Sequence, residues 1–308
     1  MHKASDPHRP NLPAPDRGTI GSVTILAEPD WRARRTAHQR RVDGWLAGHL
    51  ARRRAGRQHP VEDFLFTYYS YRPAQLRHWH PGAGVVLAGA RPDEFGPHYR
   101  PTPDGLTLHP DTLTRKAGSI TWIRRLLAAT TTRPANLGCF GMHEWAMVYR
   151  LTPEQVRHAG YPLRLSPERT AEVVEGTRIR CSHFDAYRFF TAPARPLNQL
   201  RPTRADQPDL EQPGCLHANM DLYKWAYKLV PLVGADLVAD CFALAREIRT
   251  LDMRASPYDL TDLGYPPVPV ETADGRARYA AAQRDFADRA TRLRSTLIDA
   301  IDSLPLPA

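Results

Sequence analysis

Residues 216–251 carry two helix-spaced apolar runs, 216–232 and 235–251, broken at Pro231 and Gly234. Proline lacks the backbone donor a helix needs and glycine weakens one, so the spacing predicts two helices rather than one. A third run, 276–303, places Tyr279, Phe286, Leu293, Leu297 and Ile301 near heptad positions, and a fourth, 113–130, puts Ile120, Ile123, Leu126 and Leu127 on one face. Apolar residues make up 42% of the 308, which excludes a disordered chain.

Between these runs the signals are shorter. Trp31, Val42, Trp45, Leu46 and Leu50 predict a basic amphipathic helix over 31–56, and His59-Pro60 opens another with the aromatic body 64–71. A short helix is expected over 142–151. Thr152-Pro153-Glu154-Gln155 and Ser166-Pro167-Glu168 read as helix starts. Residues 84–109, with an Asp104-Gly105 turn, predict a small β-hairpin insert. Residues 178–190 fit a strand or a bent helix, and 193–214, rich in proline, reads as a long surface loop. Residues 1–30 read as a flexible, disordered tail. The expected fold is therefore mainly α: a multi-helix single domain over 31–308 with a β-hairpin insert and a disordered N-terminal tail.

No apolar run is long enough to span a bilayer and the start has no signal-peptide core, so neither a membrane nor a secreted protein is expected. Cys139, Cys181, Cys215 and Cys241 form no CxxC pair, which argues against a disulfide scaffold or a thiolate zinc site and for a reducing cytoplasm. The net charge of +9 is uneven: nine arginines between 32 and 57 face a single acid, Asp43. Of 42 basic residues only four are lysine, a bias of the kind GC-rich coding produces. Arg52, Arg53, Arg54 and Arg57 are the candidate contacts to nucleic-acid phosphates.

Chemistry concentrates in three segments. On one helix, His217, Asp221, Lys224 and Lys228 recur at i, i+4, i+7 and i+11 and share a stripe opposite Leu222, Trp225, Ala226 and Leu229. Lysine in an arginine-dominated chain offers an amine that can lose its proton, or a compact charge. Gly138-Cys139-Phe140-Gly141-Met142-His143-Glu144 places a carboxylate in an apolar stretch behind glycines that allow close backbone approach. In an extended segment, Cys181, His183, Asp185 and Tyr187 would share a face. Together Glu62, Glu144, His183, Asp185, His217 and Asp221 are candidate ligands for iron or manganese between helices. The His217-x-x-x-Asp221 step is similar to one ligand helix of haem-oxygenase-like di-iron proteins, with Tyr69 and Lys224 standing where two histidines would be expected.

A broader resemblance runs from His59-Pro60-Val61-Glu62-Asp63-Phe64 to Asp252-Met253-Arg254-Ala255-Ser256-Pro257-Tyr258-Asp259. It includes Cys139-Phe140-Gly141-Met142-His143-Glu144-Trp145 and Asp209-Leu210-Glu211-Gln212-Pro213-Gly214-Cys215-Leu216-His217. Over about two thirds of its length the chain resembles an actinobacterial group described as 3-methyladenine DNA glycosylases. The resemblance implies DNA repair: hydrolysis of the glycosidic bond of an alkylated purine in double-stranded DNA, without a cofactor. Such chemistry needs a carboxylate, which Asp221 or Glu144 would supply with His217 and Lys224 in support, and aromatics to stack the extruded base, with Tyr68, Tyr69, Tyr71, Trp79, Trp145 and Trp225 as candidates. Three readings stand: this glycosylase; a non-haem metal-dependent enzyme, most simply an iron oxidoreductase, acting on a small molecule; and a non-catalytic nucleic-acid-binding module, which needs only the arginine cluster and leaves the polar stripe over 217–228 unexplained.

Overall fold

The computed structural model describes residues 23–152, 155–156 and 160–305. It is mainly helical, with one four-stranded sheet. The first helix, α1 (Glu28–Arg54), begins with Pro29 in its first turn, carries Glu28 and Asp30 at its positive end and Arg52, Arg53 and Arg54 at its negative end. It buries Trp31, His38, Val42 and Leu46. Two short helices follow, α2 (Phe64–Tyr68) and α3 (Pro73–Arg77). The aromatic run after Pro60 is thus a single turn or so of helix, because Tyr69 leaves it in an extended conformation.

The sheet is wider than the expected hairpin. Strands β3 (Tyr99–Thr102) and β4 (Gly105–Leu108) form that hairpin, and β4 also pairs antiparallel with β2 (Val85–Leu87). Strand β1 (Thr24–Leu26), from within the predicted tail, adds in parallel to β2. The tail therefore ends before Thr24, with Glu28 already helical, and its first 22 residues lie outside the described residues. Gly105 is required at the turn: its φ is +142°, and a Cβ there would stand 2.2 Å from the Leu87 carbonyl oxygen. Helix α4 (Pro92–Phe95) closes over the sheet, where Trp31, Trp79, Leu87, Phe95, Tyr99 and Leu106 make a small separate core.

The main core is built on α12 (Ala235–Arg254), which packs against α10 (Leu216–Met220), α11 (Leu222–Lys228), α13 (Ala273–Asp302) and α1. Helix α5 (Asp111–Thr131) lies against α13 and α9 (Gln207–Leu210). The expected helix over 216–232 is divided at Asp221, although the hydrogen-bond ladder carries through: the Asp221 amide donates to the His217 carbonyl (2.8 Å), and the Trp225 amide donates to that of Asp221 (2.9 Å). Helix α6 (Met142–Ala146) is shorter than the 142–151 expected, and α7 (Pro167–Glu175) starts at Ser166 as predicted, whose hydroxyl accepts from the Arg169 amide. The helix start at Thr152 falls partly outside the described residues.

Residues 178–190 form no strand. Ile179 bridges to Asn198, whose side chain clamps both backbone groups of Cys181, and α8 (Phe184–Tyr187) follows. Cys181, His183, Asp185 and Tyr187 therefore do not share one extended face. The long loop 193–214 contains α9 and ends in a buried Glu211. No helix among the described residues is long and apolar enough to cross a membrane, and all four cysteines are free.

Candidate metal centre

Five chain segments converge on one buried polar centre. The first enters through a left-handed turn, Phe140 (φ 47°) and Gly141 (φ 69°), which reverses the chain into α6 and delivers His143 and Glu144 on its first turn. Glycine serves at 141 because a side chain is strained at that φ. The second is His183, held in extended geometry at the mouth of α8. The third is the α9 exit, carrying Glu211. The fourth is the α10–α11 junction, with His217, Asp221 and Lys224, and the fifth is α12, with Arg249 and Asp252. Gly214 sets the start of α10: a Cβ there would lie 2.6 Å from the Asn136 carbonyl oxygen, so only glycine lets the two segments approach this closely.

Within the centre the donors sort into two sets. In the first, His143, His217 and Asp252 each bring a ligand atom, all within 4.8 Å of one another; in the second, His183, Glu211 and Asp221 do the same. The His183 Nε2 lies 3.3 Å from both the Glu211 Oε1 and the Asp221 Oδ2. The His143 Nε2 lies 3.4 Å from the Glu144 Oε1 and 3.6 Å from the Asp252 Oδ1. His217 joins the sets, its ring centroid 4.2 Å from that of His143 and 5.5 Å from that of His183.

The buried carboxylates outnumber the fixed cations beside them. Glu144, Glu211, Asp221 and Asp252 are each 3% exposed or less, and burying a carboxylate is costly unless it is paired. The fixed cations hydrogen-bonded to them are Arg249, whose Nη1 reaches Glu144 at 3.0 Å and Asp252 at 2.9 Å, and Lys224, whose Nζ reaches Asp221 at 2.6 Å and Asp185 at 3.2 Å. Burial alone would raise the Asp221 pKa, but the Lys224 ammonium and His183 outweigh it and hold the carboxyl well below its usual range. The same contest at Glu144 is won by His143 and Arg249. At Asp252 and Glu211 burial prevails and the pKa rises. His143 and His183 are pushed up against the effect of burial by Asp252 and Asp221 respectively, while burial and the two neighbouring imidazoles keep His217 neutral. Buried polar atoms are also left over: Glu144 Oε2, Asp252 Oδ1 and His183 Nδ1 have no hydrogen-bond partner. Imidazole and carboxylate donors in this density, with orphaned oxygens, suit a divalent ion such as iron, manganese or zinc.

His143 and His217 of the first set border a solvent cleft, with Asp252 buried behind them. The cleft, of about 450 Å³, is bordered by His143, Glu144, His217 and Arg249 at its floor and by Phe64, Tyr68, Phe189, Met147 and Met220 on its walls. Tyr68 is driven up to about 12 by burial and by Asp221. The Tyr69 hydroxyl donates to Asp221 Oδ1 at 2.8 Å from the protein side, steadying the second set.

Of the six ligand candidates read from the sequence, Glu144, His183, His217 and Asp221 meet here. Asp185 stands at the edge, tied to Lys224, Arg188 and Arg204. Glu62 does not take part: it accepts from the Tyr265 hydroxyl at 2.6 Å and pairs with Arg246 at 3.6 Å beside a different cavity. Lys228 leaves the stripe: its side chain is exposed, while Trp225 and Ala226 on the same turn are buried. His143, Glu211, Arg249 and Asp252 enter without having been selected as ligands. Of these His143 was the most accessible to sequence reasoning, being adjacent to Glu144, whereas Glu211 sat in a segment read as loop and Asp252 at the end of an apolar helix. Trp79, Trp145, Trp225, Tyr69 and Tyr71 are buried in the core, so of the proposed base-stacking aromatics Tyr68 alone borders the cleft. Arg52 is spent on Asp63, gripping it at 2.6 Å, whereas Arg53, Arg54 and Arg57 are exposed. Comparison with family models, with curated proteins and with solved structures finds no match to this chain.

Proposed function

We propose that the chain is a non-haem metal-dependent enzyme of the reducing cytoplasm, with iron or manganese held by the His143/His217/Asp252 and His183/Glu211/Asp221 sets, acting on a small molecule that enters the 450 Å³ cleft. The carrying observation is the convergence, from separate elements, of three imidazoles and four buried carboxylates with two fixed cations hydrogen-bonded to them. Metal bound there would supply Lewis-acid chemistry and, for iron, redox chemistry. The chain's own residues have defined tasks in this reading. Lys224 keeps Asp221 ionised as a ligand, His143 and Arg249 hold Glu144 charged beside the first set, Tyr69 orients Asp221, and Phe64, Tyr68 and Phe189 keep the substrate's apolar part out of water.

Metal analysis of the purified protein tests this. Near-stoichiometric iron or manganese that is lost in Asp221→Asn and His217→Ala supports it. Metal-free protein that releases base from methylated DNA would replace it with the glycosylase reading, for which the specific support is the exposed Arg53, Arg54 and Arg57 beside Gln58 and His59 at the cleft rim. In that case Glu144, which borders the cleft and is kept ionised by His143 and Arg249, is the carboxylate available to an electron-poor sugar.

A further inference from the structure

A second, larger cavity of about 1010 Å³ borders the same Gln58, Asp63 and Thr67 that edge the metal cleft. Its floor is apolar, made by Leu46, Leu50, Phe66 and Tyr71. Its rim is cationic, with Arg53, Arg57 and Arg72 exposed and, among the described residues, in no ion pair. The fourth arginine, Arg77, is taken up by Asp43 at 2.7 Å. The single carboxylate bordering the cavity among the described residues, Asp63, is already engaged by Arg52 and His49. An apolar floor beneath three unneutralised guanidiniums is complementary to one kind of ligand, and the carbonyl end of α1 nearby adds no attraction for an anion, so the arginines must supply it.

We propose that this groove binds a soluble single-chain amphiphilic anion, its alkyl or aryl body on Leu46, Leu50, Phe66 and Tyr71 and its carboxylate or phosphate head on Arg53, Arg57 and Arg72. The arrangement accounts for arginines that the metal cleft does not use, and it stands whether or not a metal occupies the neighbouring centre. Tyr69 borders the groove and donates to Asp221, so a bound ligand lies one side chain away from the second donor set.

Calorimetric titration of the full chain with decyl phosphate and with decanoate, both below their micelle concentrations, tests the proposal. Saturable one-to-one binding is expected, weakened about tenfold or more in Arg53→Ala/Arg57→Ala/Arg72→Ala, whose sites are exposed. It should be blocked in Ala74→Trp, which fills the groove from its exposed edge. Inorganic phosphate binding as tightly as decyl phosphate would overturn it, since only a surface anion contact would remain. Displacement of decyl phosphate by a DNA oligonucleotide, or preferential binding to anionic vesicles, would also overturn it by assigning the arginines to a polymer or a membrane surface. Unchanged affinity in both variants would do the same.

Discussion

His143 and His217 meet edge to face, their ring planes at 85° and their centroids 4.2 Å apart, although 74 positions separate them in the chain. This contact fastens the α6 turn to α10 and places one imidazole between two carboxylate sets. A neutral His217 can serve either set, so its loss should be felt by both. His217→Ala is expected to keep the helical signal while losing most of the bound iron or manganese, as read by elemental analysis against circular dichroism. Full metal content in that variant would argue that His217 only packs.

Lys224 Nζ holds Asp221 Oδ2 at 2.6 Å, so the proposed metal ion would have to share Asp221 with it. Lys224→Met leaves Asp221 buried with a hydroxyl and an imidazole as its neighbours, and the metal-free protein should lose about 3 kcal/mol in urea unfolding. Manganese should then raise the melting temperature of the variant more than that of the wild type, because the ion replaces the missing charge. Equal shifts would show that the ion does not reach Asp221.

His80 gives a pH signature remote from the centre. Burial, with His78 and His38 beside it, pulls its pKa down to about 3, and neither ring nitrogen has a partner. The unfolded chain takes up a proton there below about 6.5, the folded chain only near about 3. In that window the unfolded state binds more protons, so stability falls as pH drops, by at most ~1.4 kcal/mol per unit. Between pH 7 and pH 5 the wild type should lose about 2 kcal/mol more than His80→Leu. Parallel pH profiles would contradict the assignment.

The α1 arginines divide by position. Arg52 binds Asp63 with two of its nitrogens, so Arg52→Ala should cost about 1–2 kcal/mol, whereas Arg54→Ala should change stability by less than ~0.5 kcal/mol. Chemical denaturation of the two variants reads the difference directly, and equal losses would mean that the Asp63 contact contributes nothing.

Gly214 is held by space rather than by dihedral freedom. Gly214→Ala should destabilise by about 1–3 kcal/mol, because its Cβ meets Asn136 backbone at 2.6 Å, while Gly138→Ala, whose Cβ finds only the Asn136 Oδ1 at 3.5 Å, should be nearly neutral. Unfolding midpoints that fall together would show that the Asn136 segment yields.

The local alphabet of the chain settled where helices run. Apolar spacing placed α5, α12 and α13 within a few residues, Ser166-Pro167 marked the start of α7, and the Asp104-Gly105 turn marked the β3–β4 hairpin, because each is set by neighbours in the chain. The same spacing put His217, Asp221 and Lys224 on one stripe, which the α10–α11 ladder preserves. Tertiary structure decided the rest. Whether that stripe faced water or a cavity, that Glu211 in a proline-rich loop and Asp252 at the end of an apolar helix would join it, that Glu62 would turn away to Tyr265, and that residues 24–26 would add to the sheet beside β2, all depend on contacts between segments far apart in sequence. A carboxylate's worth as a ligand lies in the charges and the burial that other segments bring to it, and no pattern along one segment contains that information.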